Sequence, residues 1–335
     1  MNVAVSHRLD GLEPDNLLAF LALLGLLRAL EIADKTLCPR AAWDVHAPPL
    51  RPRLFLARPI RAQEVTDCAA KGIEAIAASH AFASRKDLNY SRVECRALLK
   101  EEATVSAVEG RERADLLAAL MSDAAIKADK SEPVDPTPLC LLFGQGHQHF
   151  LERLAIVPRE SAPPPRGKGK KAVTLTAPEC LAQALFQHWR RDDPTFSFRW
   201  DPEEDVRYAL MAGDPTDAAY KARTQHGANR LAAVGLAVLT LVPETRAGRV
   251  RPSIVGGASG ADGFSFAWPI WRDAVTLPAI RALLSHPGLR EPDGLKHLGV
   301  DHVVVARRVS VGKYMNFSRA RPVAQIERAH APYAR

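Results

Sequence analysis

The amino-acid sequence predicts an α+β fold with two lobes, in each of which helices pack on small mixed or antiparallel sheets. Three observations indicate this fold class. Apolar runs with helical spacing and short strand-like runs occur in both halves of the chain. The length of 335 residues suits about two domains. A stretch rich in proline, glycine and lysine separates the two halves.

These observations divide the chain into three parts. We expect an N-terminal α+β lobe with a buried helix over residues 1–158, a basic Pro/Gly linker or mobile loop over 159–172, and a C-terminal α+β lobe with a basic tail over 173–335. The linker prediction depends on the stretch "ESAPPPRGKGKK", which contains almost nothing that a core could bury.

The first predicted helix is the strongest local signal in the chain. After a strand at "VAVSHRL", residues 13–34 contain the run "LLAFLALLGLL", with Asp15 or Asn16 available as the N-terminal cap. The run is apolar on almost every side of a helix, which predicts a helix through the core. Its eleven apolar residues are too few to span a bilayer. Acidic residues before it and Arg28 directly after it argue against a signal peptide.

Composition indicates an ordinary globular protein without a membrane partner. Hydrophobic residues make up 47% of the chain and charged residues 25%. The five cysteines are widely spaced and form no CxxC pair, which is typical of free thiols in a reducing compartment. We therefore expect a cytoplasmic protein with no membrane anchor.

The remaining elements follow from periodicity and turn residues. Strands are predicted at 41–45 and 51–57, on either side of a turn at Pro48-Pro49. Beyond them we expect helices at 61–79, 91–100 and 112–128, a buried strand at "PLCLLF" and a short helix after it. After the linker, the same criteria predict helices at 180–190, 216–234 and 277–285, and strands at 196–200, 249–255, 264–268 and 300–312.

The positive charge is concentrated in two segments. Residues 158–171 carry a balance of +4 and residues 301–335 a balance of +5, within a chain whose formal net charge is +7. The rest of the chain is therefore slightly acidic. Clustered positive charge attracts polyanions such as nucleic acid, an anionic membrane surface or an acidic partner. The alternative is a solvated linker and tail that keep the protein in solution.

The stretch "LLFGQGHQHFLERL" allows three interpretations. His147, His149 and Glu152 could form a metal site, but no single helix or strand places all three side chains on one face. The turn formed by Gly144 and Gly146, with His147 and His149 beside it, could hold a phosphate at the start of a helix. The third interpretation is structural: a tight turn with surface histidines. We favour the third and expect no metal site.

No other motif predicts catalysis. The chain lacks a P-loop, and "GGASGADG" is typical of a hairpin loop rather than of a nucleophile turn. The carboxylates of "DPEED" favour a solvated turn over a divalent-ion site. His226 and Asn229, in "TQHGANRL", lie beside an apolar helix face and are expected to pair internally. We therefore expect a protein that is not an enzyme and needs no cofactor.

The basic segments favour contact with nucleic acid. Cations neutralise phosphates, and aromatic faces stack on unpaired bases. The alternative for the second segment is a β-strand with an exposed basic face and buried aromatic side chains. The candidate residues are Arg166, Lys168, Lys170 and Lys171 in the linker and Arg307, Arg308, Lys313, Tyr314, Phe317, Arg319 and Arg321 in the tail.

Several stretches together resemble a known protein family. They include "LDGLEPDNLLAFLALLGLLRALE", "LCLLFGQGHQHFLERL", "TQHGANRLAAVGL" and "RRVSVGKYMNFSRA". They are similar to the extension protein that accompanies the helicase–nuclease in type I-G (formerly I-U) CRISPR loci. The start of the chain is also loosely similar to other subunits of Cascade-type effector complexes. The resemblance runs from about residue 9 to residue 320 and includes no catalytic signature.

The resemblance implies a role in antiviral defence, near CRISPR RNA, its DNA target or the nuclease recruited to it. The leading hypothesis is a non-catalytic subunit or accessory of the RNA-guided surveillance complex that holds the nucleic-acid backbone by charge and shape. A second hypothesis is an adaptor that docks the helicase–nuclease through exposed Trp268 and Trp271. A third is a metal-dependent nuclease that uses His147, His149 and Glu152.

Overall fold

A computed structural model describes residues 6–82, 85–125, 133–142, 149–166, 172–204, 223–246, 248–311 and 314–323. The α+β fold class is confirmed. The helices are α1 (Leu17–Ala33), α2 (Ala62–Ala77), α3 (Arg92–Glu109), α4 (Glu112–Leu120), α5 (Phe150–Ile156), α6 (Ala177–Phe186), α7 (His226–Gly235) and α8 (Leu277–Ser285). The strands are β1 (Ser6–Arg8), β2 (Arg40–Trp43), β3 (Pro52–Phe55), β4 (Leu241–Arg246), β5 (Arg249–Ile254), β6 (Gly257–Gly260), β7 (Gly263–Trp271), β8 (Val275–Thr276), β9 (Val300–Val311), β10 (Tyr314–Phe317) and β11 (Arg321–Pro322).

Helix α1 is the centre of the core, as its sequence predicts. Asn16 caps it, with its side-chain oxygen accepting a hydrogen bond from the Ala19 amide at 3.3 Å. Every residue from Leu17 to Leu30 is buried. Even the buried guanidinium of Arg28 is satisfied internally, because it donates to the carbonyls of Val234 and Glu112. The helix is therefore surrounded by protein on all sides.

The strands form three sheets, and every strand pair in the described ranges is antiparallel. One sheet has the order β1-β3-β2-β8, and a two-stranded sheet joins β4 to β5. The third has the order β10-β9-β7-β6, with β11 paired to β9. The long strand β9 is thus its middle strand: β7 lies along one edge, and β10 and β11 share the other. In the predicted basic tail, residues 300–311, 314–317 and 321–322 are therefore strands of this sheet.

One hydrophobic core connects the two predicted lobes. Helix α1, from the first lobe, packs on α7, from the second, and β2 pairs with β8. Buried apolar side chains form one continuous cluster from Leu9 to Ala320. That residues 159–172 form a linker stays a prediction from the sequence. In space, however, the segments on its two sides do not have separate cores.

Two predicted strands are wrong, for the same physical reason. The described part of "PLCLLF" forms turns, and residues 196–200 form no regular strand. Both runs are apolar because they pack on each other: Trp200 donates from its ring nitrogen to the Leu139 carbonyl at 2.9 Å, and its ring stacks on Phe198. An apolar run indicates burial, and here buried loops produce it.

Most helix predictions are confirmed in position, with differences in length. Helix α8 has the predicted bounds, whereas α3 extends nine residues beyond its predicted end at residue 100, to Glu109. Helix α4 ends at Leu120 rather than near residue 128. Part of the helix predicted at 216–234 lies outside the described residues, and its described part is α7. In the described parts of the chain, no helix is both long enough and apolar enough to cross a membrane.

Candidate nucleic-acid interface

A glycine-rich hairpin organises the basic surface of the largest sheet. Strands β6 and β7 pair from Gly257 opposite Phe266 to Gly260 opposite Gly263, which leaves a two-residue loop. Gly256 and Gly263 have positive φ angles of 82° and 93°, which glycine adopts without steric cost. The prediction that "GGASGADG" forms a hairpin loop is therefore correct only in part: residues 261 and 262 form the loop, whereas residues 257–260 form strand β6.

A groove of about 310 Å³ lies on one side of this hairpin. Arg307 and Arg290 line it, together with Ser265 and the hairpin backbone. Arg307 forms an exposed ion pair with Asp262 at 3.2 Å, in the hairpin loop. Arg290 donates to the Ser265 side chain and to the carbonyls of Ser265 and Gly256. The hydrogen bonds fix the Arg290 guanidinium at the groove, while Arg307 stays at its rim.

Arg321 lies on the same face of the sheet as Arg307. Arg307 is opposite Ser265 and Arg321 is opposite Val305 in the antiparallel register. Residues 305 and 307 of one strand point to the same face, and directly opposed residues share that face. Arg321 is exposed. This face of the sheet therefore presents Arg307 from β9 and Arg321 from the adjacent strand β11.

A second groove, of about 260 Å³, lies on the other side of the hairpin. Arg251, from β5, and Arg308, from β9, line it, and Ser259 and Phe264 border both grooves. The Arg308 guanidinium lies 5.6 Å from the Phe264 ring centre and donates to the Pro138 carbonyl. Burial lowers the pKa values of Arg308 and Arg290. Both remain cations at neutral pH, since an arginine pKa starts above 12.

In the aromatic part of the tail, the side chain of Phe317 is described and does not form a stacking surface. Phe317 is buried and makes an edge-on contact with Phe264. It is opposite Arg308, on the face of the sheet that packs on the core. The prediction of a stacking role for Phe317 is therefore wrong, and the buried-aromatic alternative is correct for this residue. Lys313 and the side chain of Tyr314 lie outside the described residues.

Arg319 is held by three carboxylates. It lies 3.1 Å from Glu13, 2.9 Å from Asp15 and 2.7 Å from Glu203. Partial burial acts to lower its pKa, but the hydrogen bonds to Glu203 and Asp15 outweigh burial and raise the pKa above its usual value. These three carboxylates neutralise its charge and occupy Nε and one terminal nitrogen. The prediction that Arg319 binds nucleic acid is therefore not supported by its contacts.

Arg166 is also held internally. It forms an ion pair with the fully buried Asp193 at 2.7 Å and donates to the Gln183 side chain at 2.8 Å. This arginine fastens the described end of the predicted linker to the body of the protein. Lys168, Lys170 and Lys171 lie outside the described residues, so their predicted role stays a prediction.

The glycine–histidine stretch is described only from His149 onward. His149 is the N-terminal cap residue of α5, and its Nδ1 lies 3.0 Å from Asp87. Glu152 pairs with Lys86 at 3.1 Å. Gly144, Gly146 and His147 lie outside the described residues. Among the residues that are described, no group of three or more His, Cys, Asp or Glu side chains could hold a metal ion.

The internal pairing predicted for His226 and Asn229 is confirmed. His226 contacts Thr195 and the Glu160 carbonyl, and Asn229 donates to Thr224. The Glu160 carbonyl can only accept, so His226 Nε2 carries a proton. Burial lowers the pKa of His226 to about 4.

The acidic turn differs from its prediction, because Asp201 and Glu204 are buried rather than solvated. Asp201 pairs with Arg191 at 2.7 Å and accepts a hydrogen bond from Asn16. Glu204 accepts one from Ser197. Asp201 therefore connects the turn to the cap of α1, and Glu204 connects it to the preceding loop.

The tryptophans proposed as an exposed docking anchor are in the core. Trp268 and Trp271 are both buried, and their ring nitrogens donate to the carbonyls of Pro14 and Ala41. Trp268 also stacks on Phe20 of α1. Their exposure was therefore predicted wrongly.

Arg251 and Arg290 contribute to the grooves and were not predicted. Each lies outside the two segments of concentrated positive charge, so a charge count along the chain does not find it. The available signal was the glycine hairpin itself, because a backbone without side chains allows close approach of a ligand. Arg251 lies shortly before that hairpin, but Arg290 has no local signal.

Comparison with known proteins finds no relative. None of the family models compared with the chain matches it. No curated protein matches it, and no solved structure does.

Proposed function

We propose that the chain is a non-catalytic subunit or accessory of a type I-G CRISPR RNA-guided surveillance complex in the cytoplasm, and that it binds the sugar–phosphate backbone of guide RNA or target DNA. The other effector subunits and the helicase–nuclease are its proposed protein partners. The resemblance of the sequence to the extension-protein family supports the assignment to this system.

The arrangement of arginines around the β6–β7 hairpin supports the binding role. Arg307 and Arg290 line the groove on one side, and Arg251 and Arg308 line the groove on the other. Arginine is suited to phosphate because its planar guanidinium donates two parallel hydrogen bonds to the oxygens. A strand laid across the hairpin would meet cations on both sides, with little side-chain bulk between them.

The buried aromatic side chains define what kind of binding to expect. Phe317 cannot stack on bases, so the described surface offers charge and shape without base contacts. Binding should therefore depend little on sequence and fall steeply with salt, by a slope of roughly 0.7–0.9 per phosphate contact.

The test is fluorescence anisotropy with single-stranded RNA, single-stranded DNA and duplex DNA at two salt concentrations. The variant Arg307→Ala/Arg321→Ala should bind roughly tenfold more weakly at low salt and show a smaller salt slope, by about one to two. The matched control is Arg61→Ala/Arg96→Ala, which makes the same charge change at two exposed positions, directly before α2 and on α3. Equal losses in the two double variants would mean that net charge alone acts, and the proposed interface would be abandoned.

A second candidate, the protein–protein adaptor, is favoured by one observation. Helix α3 has eighteen residues, of which only Cys95 is buried, and it exposes Val93 and Val108. A helix that buries so little of its surface leaves that surface open to a protein partner. Co-purification with the helicase–nuclease in high salt, lost in Val93→Asp/Val108→Asp, would support this role. If the wild-type chain does not co-purify, the adaptor is excluded.

A further inference from the structure

A further groove lies on a different part of the protein from the β6–β7 hairpin. It has a volume of about 760 Å³ and is bounded by α2, the turn at 158–161 and the first residues of α6. This volume is in the range of sites that hold small molecules of nucleotide size.

Arg230, on α7, is the deepest charged residue of this groove. It is buried, with 2% of its surface exposed. One terminal nitrogen donates to the Ser161 carbonyl at 3.0 Å and the other to the Pro158 carbonyl at 3.2 Å. Its Nε is buried and has no hydrogen-bond acceptor among the described residues. Among the residues that the structure describes, no carboxylate forms an ion pair with Arg230, and Glu74 acts on it only through its charge.

A buried cation without a paired anion is energetically costly. Burial lowers the pKa of Arg230, and the nearby Glu74 offsets this effect only in part. Two neutral carbonyls satisfy hydrogen bonds but do not balance the charge. The position therefore favours an anion that approaches through the groove.

Two further cations face the same groove. Lys71, on α2, and Arg159, in the turn, line it and are exposed. Asp67 and Glu74 also line it, so the three cations exceed the acids by one charge. The start of α6 adds little, since Thr176 and Glu179 already cap its amides.

We propose that this groove is a binding site for a phosphate monoester, with Arg230 as the buried contact and Arg159 and Lys71 as the outer contacts. A phosphate monoester carries a charge of about −1.5 to −2 at pH 7 and three acceptor oxygens. It can therefore accept from all three side chains and compensate the excess charge. The proposal does not rest on the proposed function, because none of its residues lies on the hairpin.

The experiment is isothermal titration of the full chain with adenosine 5′-monophosphate, inorganic phosphate and adenosine, at ionic strength matched with potassium chloride. Adenosine 5′-monophosphate and phosphate should bind, and adenosine should not. A single-stranded pentanucleotide with a 5′-phosphate, compared with its 5′-hydroxyl form, distinguishes a strand end from a free nucleotide as the source of the phosphate.

Variants locate the site. Arg159→Ala and Lys71→Ala, both at exposed positions, should each weaken the binding of adenosine 5′-monophosphate about tenfold, the loss of one hydrogen bond to a charged group. Arg230→Lys, which keeps the charge but loses Nε, should weaken it further. Glu74→Gln should strengthen it, and Lys35→Ala, which lies outside the groove, should leave it unchanged.

Two results would overturn the proposal. The first is equal heat from adenosine and adenosine 5′-monophosphate. The second is a dissociation constant that changes less than twofold in both Arg159→Ala and Lys71→Ala. Oligonucleotide binding that persists in these variants and is lost in Arg307→Ala/Arg321→Ala would leave the proposed function standing while this site fails.

Discussion

Two glycines determine how closely α1 and α7 approach each other. A Cβ atom at Gly25 would overlap the Leu231 carbonyl, and one at Gly235 would overlap the Leu21 carbonyl. In both cases the neighbour is backbone, which cannot rotate away. The tight packing of these two helices therefore requires residues without side chains at these positions.

Gly25→Ala should lower the free energy of unfolding by about 1–3 kcal/mol, because the two helices must separate to admit the methyl group. Chemical denaturation followed by circular dichroism measures the change. Gly260→Ala is the matched control, since a Cβ there meets no atom closer than 4.0 Å. A Gly25 variant as stable as this control would mean that the helices do not pack as described.

Glu204 should make the stability of the folded protein depend on pH. Burial raises the pKa of its carboxyl from the usual 4.5 to about 7. Between pH 4.5 and about pH 7, the Glu204 carboxyl keeps a proton in the folded state that it has released in the unfolded state. Stability contributed by this residue is therefore greatest below pH 4.5, falls as pH rises through 7, and stays low above that.

Glu204→Gln should remove this dependence, because glutamine is neutral at every pH and can still accept a hydrogen bond from Ser197. Relative to the wild type, we expect the variant to gain about 2–3 kcal/mol at pH 8 and almost nothing at pH 4. Denaturation at the two pH values measures the gain, and Glu101→Gln, at an exposed position, is the control. A gain that is equal at both pH values would contradict the assignment.

At the scale of elements, the connection from β10 to β11 is fastened to the start of α1. The Ala320 amide donates to the Asp15 carbonyl at 2.8 Å. Beside it, Arg319 joins Asp15 and Glu13 to Glu203, so that three segments far apart in sequence meet at one guanidinium. The sheet edge that carries Arg321 is thereby positioned by its neighbour two residues earlier.

We therefore expect Arg319 to contribute to stability and Arg321 to contribute to nucleic-acid binding. Arg319→Ala should cost about 1 kcal/mol of stability, a value kept small because the side chain is partly exposed to solvent, and should leave nucleic-acid affinity unchanged. Arg321→Ala should leave stability within about 0.5 kcal/mol and should weaken binding. Denaturation and anisotropy on both variants give the comparison. Binding lost in Arg319→Ala but kept in Arg321→Ala would reverse the assignment of the two residues.

At the scale of the whole molecule, the two predicted lobes depend on one core. Helix α1 is covered by α7 on one side and by α2 on another, and β8 completes the sheet of β2. If the first segment is removed, α7 and the core face of β7 lose their cover. Neither segment can then bury its apolar surface alone.

The separate fragments 1–166 and 172–335 should therefore fail to fold, whereas the full chain should unfold in one transition. Near-ultraviolet circular dichroism reports the packing of Trp43, Trp268 and Trp271, and far-ultraviolet dichroism reports the helices. The two signals should change together in the full chain. A fragment that gave native-like near-ultraviolet signals and a cooperative transition would show that the predicted boundary separates independent domains.

Local features of the fold were predictable from the sequence alone. A cap at Asp15 or Asn16, the buried helix α1, the bounds of α8 and a turn between residues 256 and 263 each depend on neighbouring residues. The apolar loops at 138–142 and 196–200 were not predictable, because their apolar character comes from contact with each other across about sixty residues.

The candidate site, too, could be predicted from the sequence only in part. The sequence by itself determined that positive charge is concentrated near residues 307–321 and that a strand carries Arg307 and Arg308. Only the tertiary structure decided which of those cations face solvent. Arg319 is neutralised by acids from residues 13, 15 and 203, Phe317 is taken into the core, and Arg290 is added from a distant turn. The physical reason is that charge and polarity belong to a residue, whereas exposure and pairing depend on partners that the chain brings together only when it folds.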